Sequence, residues 1–301
     1  RKRGLDRGSD RRKRRVEKPF PGGKESPLGS EGENIAMIDF EKGLEMMDKP
    51  EIVYRLFFPR RESSREGIPP NGISHVVRVA QGISVVCRFY RARSESPNIL
   101  YFHGNGETAP DYDYVAPVYT GRGLNLFVAD YRGYGMREGS PASSSMIKDA
   151  HPIFESFVNL LRSVGHTGNL FVMGRSLGSA PAIEIAYYYQ DQLKGLIVES
   201  GFAGARNQLA RLGMAHLFQD AAKPVGFGND LKMKEVRIPT LIIHGEADEI
   251  IPAEEGRTLY EVSGAAWKSS LFVPGAGHND LMMHALNAYM NAVEAFTLQG
   301  D

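Results

Sequence analysis

Residues 169–190 read "NLFVMGRSLGSAPAIEIAYYYQ": a short apolar, β-prone run passes through Gly-Arg-Ser-Leu-Gly into a segment with helical spacing. This is the pattern of a strand turning sharply into a helix, with Ser176 at the turn between Gly174 and Gly178. A Cβ at either glycine would collide with the adjoining strand and helix, so such a turn requires both of them. A serine serving only as a helix N-cap would require neither. Alone, Gly-x-Ser-x-Gly arises by chance in glycine-rich chains, and its surroundings must give it meaning.

Outward from this turn the chain repeats a rhythm. Apolar β-type runs occur at "HVVRVA", "ISVVCRFYRA", "NILYFH", "LNLFVADY", "NLFVMG", "GLIVES", "TLIIHG" and "SLFVPG", and from "NILYFH" onward 20–45 residues separate each from the next. The segments between them, around 110–121, 143–164, 176–190, 253–263 and 280–298, carry helical spacing. Runs that are apolar on both faces and alternate with helical crossovers predict a parallel sheet covered on both sides, and the first two runs are close enough to form an antiparallel hairpin. The expected fold is α/β, a mostly parallel central sheet of about eight strands with helices on both faces.

In such a sheet, functional groups gather at the carboxyl ends of the strands. Reading the residue after each run places "GNGET", "YRGYG", "GRSLG", "SGF", "GEADEIIP" and "GAGHNDL" on one edge. A serine hydroxyl is a poor nucleophile at neutral pH and needs a base, itself oriented by a third group. His278, on the glycine-rich loop after the last run, is the candidate base, and Asp248, on the loop before it, the candidate acid. The order Ser, Asp, His is the one this architecture requires. Glu199, at the end of "GLIVES", is the alternative acid; Asp248 is preferred because its longer loop can reach beneath the histidine. A tetrahedral oxyanion needs two backbone donors, expected from Leu177, just after the serine, and from Asn105 in "HGNG". His103 and His244 each precede a glycine at a strand end and are read as stabilising turns. The remaining histidines show no ligand spacing, so neither metal nor cofactor is expected.

Composition is that of an ordinary globular protein: 301 residues, 42% hydrophobic and 24% charged. The net charge is zero but unevenly placed, with ten Lys/Arg against three acids in residues 1–20 and a remainder at −7. Residues 1–34 are too poor in large apolar side chains to offset chain ordering and are expected to be a disordered basic tail. That tail is expected to attract anionic membrane or nucleic acid weakly, without the interleaved aromatics of specific nucleic-acid binding. The only cysteine, Cys87, sits in an apolar β-type run, as a buried structural thiol would. No run reaches the roughly 18 apolar residues of a spanning helix. A soluble, cytoplasmic protein is the expectation.

Together, "YFHGNGE", "ADYRGYG", "GRSLGS", "HGEADEIIP" and "GAGHNDL" resemble the α/β-hydrolase fold serine hydrolases, in particular the branch with little or no cap that includes protein-depalmitoylating enzymes. The likeness runs from about Ile73 to Phe296 and implies Ser176 as nucleophile, Asp248 as acid, His278 as base, and Asn105 and Leu177 as oxyanion donors. The residues given before Cys87 hold no cysteine, unlike the cysteine-rich N-terminus of those depalmitoylating relatives. The implied organisation is a tail over 1–34, an N-terminal extension packing on the core over 35–72, and a hydrolase domain over 73–301 with a short cap segment at 201–237. The implied activity is hydrolysis of a small-molecule carboxylic ester or thioester through an acyl-enzyme. The alternatives are long-chain protein or lipid deacylation, and a non-catalytic binding protein on the same fold.

Overall fold

The computed structural model describes residues 40–61, 68–135, 139–218 and 226–298. The tail expected over 1–34 lies outside the described residues. The strands are β1 (Gly72–Ala80), β2 (Ile83–Tyr90), β3 (Asn98–Phe102), β4 (Asn125–Ala129), β5 (Leu170–Arg175), β6 (Gly195–Glu199), β7 (Thr240–Gly245) and β8 (Lys268–Val273). They form one eight-stranded sheet in the order β1-β2-β4-β3-β5-β6-β7-β8. β2 is antiparallel to both β1 and β4, and every other pairing is parallel.

Alternation along each strand divides the core in two. Leu100, Phe102, Phe127, Ala129, Val172, Leu196 and Val198 belong to one apolar cluster, while Ile99, Tyr101, Leu126, Val128, Phe171, Met173 and Ile197 belong to the other. Strands β3 to β6 are thus apolar on both faces, which is why they read as near-continuous hydrophobic runs.

The helices are α1 (Phe40–Met47), α2 (Pro50–Leu56), α3 (Ala116–Thr120), α4 (Ser143–Ser163), α5 (Ser179–Tyr188), α6 (Ala205–Arg211), α7 (Asn229–Glu235), α8 (Ala253–Val262) and α9 (Leu281–Leu298). Helices α3 and α9 contribute Tyr119, Tyr289, Met290 and Val293 to the second cluster. Leu44 of α1, Ile52 of α2, Phe157 of α4, Ile183 of α5, Leu209 of α6, Met233 of α7 and Leu259 of α8 join the first. Within 201–237 the described residues form α6, a 3-10 turn at Ala215–Phe218, and α7. The parallel strands all end on one edge, so the loops after β3, β5, β7 and β8 meet there.

Candidate active site

Ser176 follows β5 with φ +53°, in the left-handed region that an L-residue adopts at a cost. The flanking glycines make that turn feasible. A Cβ on Gly174 would lie 2.2 Å from the Gly178 carbonyl oxygen, and one on Gly178 would lie 2.1 Å from that of Phe102 at the end of β3. The Ser179 hydroxyl donates to the Ser176 carbonyl at 2.6 Å, closing the turn into α5.

The structure brings Ser176, His278 and Asp248 together. His278 Nε2 is 2.9 Å from Ser176 Oγ, and His278 Nδ1 is 2.7 Å from Asp248 Oδ2. Since the carboxylate can only accept, Nδ1 carries the imidazole proton and Nε2 is free to accept from the serine hydroxyl. All three side chains are buried. Asp248 Oδ1 also accepts the amides of Ile250 and Ile251, at 2.9 and 2.8 Å. The Ala247 amide donates to Ala276 O at 2.9 Å, tying the aspartate loop to the histidine loop.

Burial alone would push the Asp248 carboxyl up, but hydrogen bonds from His244, then from His278, hold it well below the ordinary carboxylate range. His244 therefore does more than stabilise a turn. Its Nε2 lies 2.7 Å from Ile251 O and 3.3 Å from Asp248 Oδ2, so it buttresses the candidate acid from behind. Glu199 stands apart from His278: its Oε2 accepts from Tyr289 OH at 2.6 Å and Tyr101 OH at 3.4 Å, and its Oε1 accepts from Arg175 Nε at 3.2 Å.

Asn105 and Leu177 line the same cavity as Ser176 and His278. The Asn105 side chain is tied to the N-terminal segment and to Tyr134: Oδ1 accepts from the Phe58 amide at 2.9 Å and Tyr134 OH at 2.7 Å, and Nδ2 donates to Leu56 O at 2.6 Å. Its main-chain N–H is the candidate for the donor role. Behind this loop His103 makes two contacts with acceptors, Nδ1 with Gly104 O at 2.8 Å and Nε2 with Asp130 Oδ1 at 3.1 Å.

The cavity over the serine measures about 420 Å³. Leu209, Phe202 and Ala205 wall it on one side, while Met47, Leu56 and Phe58 of the N-terminal segment wall it on another. Sequence reasoning missed this second wall, since nothing in 40–58 carries a chemical motif. It also missed Arg175, although a guanidinium at the end of an otherwise apolar strand was a visible signal. Among the described residues no group of three or more His, Cys, Asp or Glu side chains is placed to hold a metal ion.

A family model described as serine aminopeptidase S33 matches residues 94–227. The human alpha/beta hydrolase domain-containing protein 17B is 30% identical over 236 residues, covering 74% of this chain and 74% of the relative. Protein bem46 of Schizosaccharomyces pombe is 26% identical over 262 residues, covering 83% of this chain and 86% of the relative. An esterase of Pyrococcus furiosus shares the fold, with a TM-score of 0.63 at 16% identity over 80% of this chain and 97% of that one. Sheet order, the strand-end location of the serine turn and these relationships agree: the chain belongs to the α/β-hydrolase family of serine hydrolases.

Proposed function

We propose that the protein cleaves carboxylic esters or thioesters through an acyl-enzyme, with Ser176 as nucleophile, His278 as general base and Asp248 as the group orienting it. The observation that carries this reading is the hydrogen-bonded chain Ser176–His278–Asp248, at 2.9 and 2.7 Å, opening into a largely apolar cavity. His278 Nε2 takes the hydroxyl proton as Ser176 Oγ attacks the acyl carbon, and the imidazolium that forms is stabilised by the Asp248 carboxylate. The negative charge on the acyl oxygen is met by the main-chain N–H groups of Leu177 and Asn105. The imidazolium returns its proton to the departing alkoxide or thiolate. The free imidazole then takes a proton from water, whose oxygen attacks the acyl-serine, and passes that proton to Ser176 Oγ as the acid leaves.

The substrate class follows from the cavity. Its walls are mostly aliphatic and aromatic, and among the described residues no carboxylate lines it, which suits an apolar acyl chain. The wall shared between α6 and the N-terminal segment supports acyl groups longer than acetyl. Long-chain deacylation is the competing reading, favoured by the apolar Phe58, Leu212 and Ile250, which line the cavity and remain 61%, 37% and 55% exposed.

A fluorophosphonate probe tests the proposal. Ser176 is expected to carry the label by peptide mass spectrometry, and p-nitrophenyl butyrate to be hydrolysed. Folded wild-type protein that takes no label and turns over no ester or thioester would leave the non-catalytic binding reading in its place.

A further inference from the structure

Arg175 occupies the variable position of Gly-x-Ser-x-Gly, immediately before the nucleophile. Its side chain is 11% exposed, and its three nitrogens reach four acceptors, one at the end of β6 and the others on the loops after β3 and β8. Nε donates to Glu199 Oε1 at 3.2 Å, and Nη1 to Glu107 Oε1. Nη2 donates outward, to the carbonyl oxygen of His278 at 2.9 Å and to Asn279 Oδ1 at 2.8 Å.

The carboxylates are themselves held. Glu199 accepts the Tyr289 and Tyr101 hydroxyls, and Glu107 Oε2 accepts the Tyr112 hydroxyl and the Gly104 amide, each at 2.8 Å. With Nε and Nη1 anchored, the plane of the guanidinium is set, and with it the position of Nη2. The site of His278 is therefore specified from two sides: Asp248 holds the ring through Nδ1, and Arg175 holds the backbone. Because Arg175 is covalently joined to Ser176, the second constraint ties the histidine loop to the nucleophile turn. Through Glu107 and Gly104 the same side chain reaches the loop that presents Asn105.

Resting on the serine-hydrolase reading above, we infer that Arg175 is a positioning residue that clasps the nucleophile turn, the Asn105 loop and the histidine loop into one reacting geometry, with Glu199 as its buried counter-ion. An ion pair serving stability alone needs Glu107 and Glu199; it has no need of the His278 carbonyl. A lysine retains the charge but, as a point donor on a flexible stem, cannot satisfy all four acceptors at once.

The test compares Arg175→Met and Arg175→Lys with wild type on p-nitrophenyl butyrate, with kcat expressed per site titrated by a fluorophosphonate and folding followed by circular dichroism. Loss of folded protein lowers the number of titrated sites, whereas loss of positioning lowers kcat at each site. We expect kcat per site to fall about 100-fold in Arg175→Met and about tenfold in Arg175→Lys, with KM within about twofold of wild type, as for a misplacement of reacting groups by an ångström or less. Should Arg175→Met not fold, Arg175→Lys, which preserves the counter-charge for both glutamates, decides alone. A folded Arg175→Lys variant with wild-type kcat per site overturns the clasp and leaves the hydrolase reading standing. Wild-type protein that takes no label overturns both.

Discussion

The strand-end edge and the cavity wall meet over one serine but are built on opposite principles. At the edge, buried polar groups are held by hydrogen bonds between loops: Asp248 by two amides and two imidazoles, and Asn105 by three partners. The wall is lined by residues of α2 and α6 and of the segments beside them, contacting the cavity through apolar side chains, some buried, such as Leu209 and Phe202, and some partly exposed, such as Phe58 and Leu212. Directional bonds tolerate little displacement, whereas dispersion contacts are individually weak and adjustable. The edge should therefore govern whether reaction occurs, and the wall which acyl group reacts.

The sharpest way to break this contrast is Ser176→Ala. Loss of kcat on p-nitrophenyl butyrate should reach about 10⁴-fold or more while the melting temperature stays within a few degrees of wild type. Retention of more than about 1% of kcat in folded protein would place the nucleophile elsewhere.

Within the edge, the two carboxylates should separate. Asp248→Asn should lower kcat about 10⁴-fold, since an amide leaves the imidazole in the wrong tautomer. Glu199→Gln should cost about 3 kcal/mol of stability, by leaving Arg175 short of a buried counter-charge, with kcat falling less than about tenfold. Denaturant melts and steady-state kinetics on both variants decide the matter, and the reverse ranking would make Glu199 the acid.

Effects in the wall should be smaller and dependent on chain length. Gln208 lines the cavity and is half-buried. Gln208→Trp should lower kcat/KM for p-nitrophenyl hexanoate about tenfold and leave the acetate within about twofold, given about 0.8 kcal/mol for each buried methylene. Wild type should improve over the first few acyl carbons and then level off. A series peaking at sixteen carbons, with detergent controls, would favour the long-chain deacylase.

The smallest expected difference concerns pH. Burial lowers the pKa of His103, but the Asp130 hydrogen bond and charge more than compensate, leaving it raised above its ordinary value. A raised folded value means stability fully present below the unfolded pKa near 6.5 and lost as pH climbs through the folded one. Wild type should lose a few degrees of melting temperature between about pH 6 and 9 relative to His103→Gln, whereas Phe58→Ser in the wall should shift stability by less than about 0.5 kcal/mol at either pH. Parallel pH profiles for wild type and His103→Gln would mean that His103 stays neutral.

Legibility in the sequence followed the same division. The alternation of apolar runs and helical spacings foretold the sheet, because strands β3 to β6, buried on both faces, leave almost no polar residue to interrupt the run. Gly174 and Gly178 marked the turn because steric exclusion acts between near neighbours in the chain. The placement of Ser176, Asp248 and His278 beyond the ends of β5, β7 and β8 followed from topology, since parallel strands bring their carboxyl ends to one edge whatever the loop lengths.

Asn105 and Glu199 show where sequence reading stopped. The first was read as a backbone donor, and its side chain proves to be what joins the Phe58 segment to the site. The second was a rival acid, and it proves to be bound to a guanidinium and two phenols. No spacing rule relates Leu56 to Asn105, or Arg175 to the His278 carbonyl, 103 residues further along. The sequence by itself determined the layered architecture and the order in which Ser176, Asp248 and His278 follow their strands, because periodicity and local sterics are properties of neighbours. Only the tertiary structure decided what holds the histidine loop and which segments wall the cavity, because those contacts form between loops whose approach depends on how the whole sheet packs.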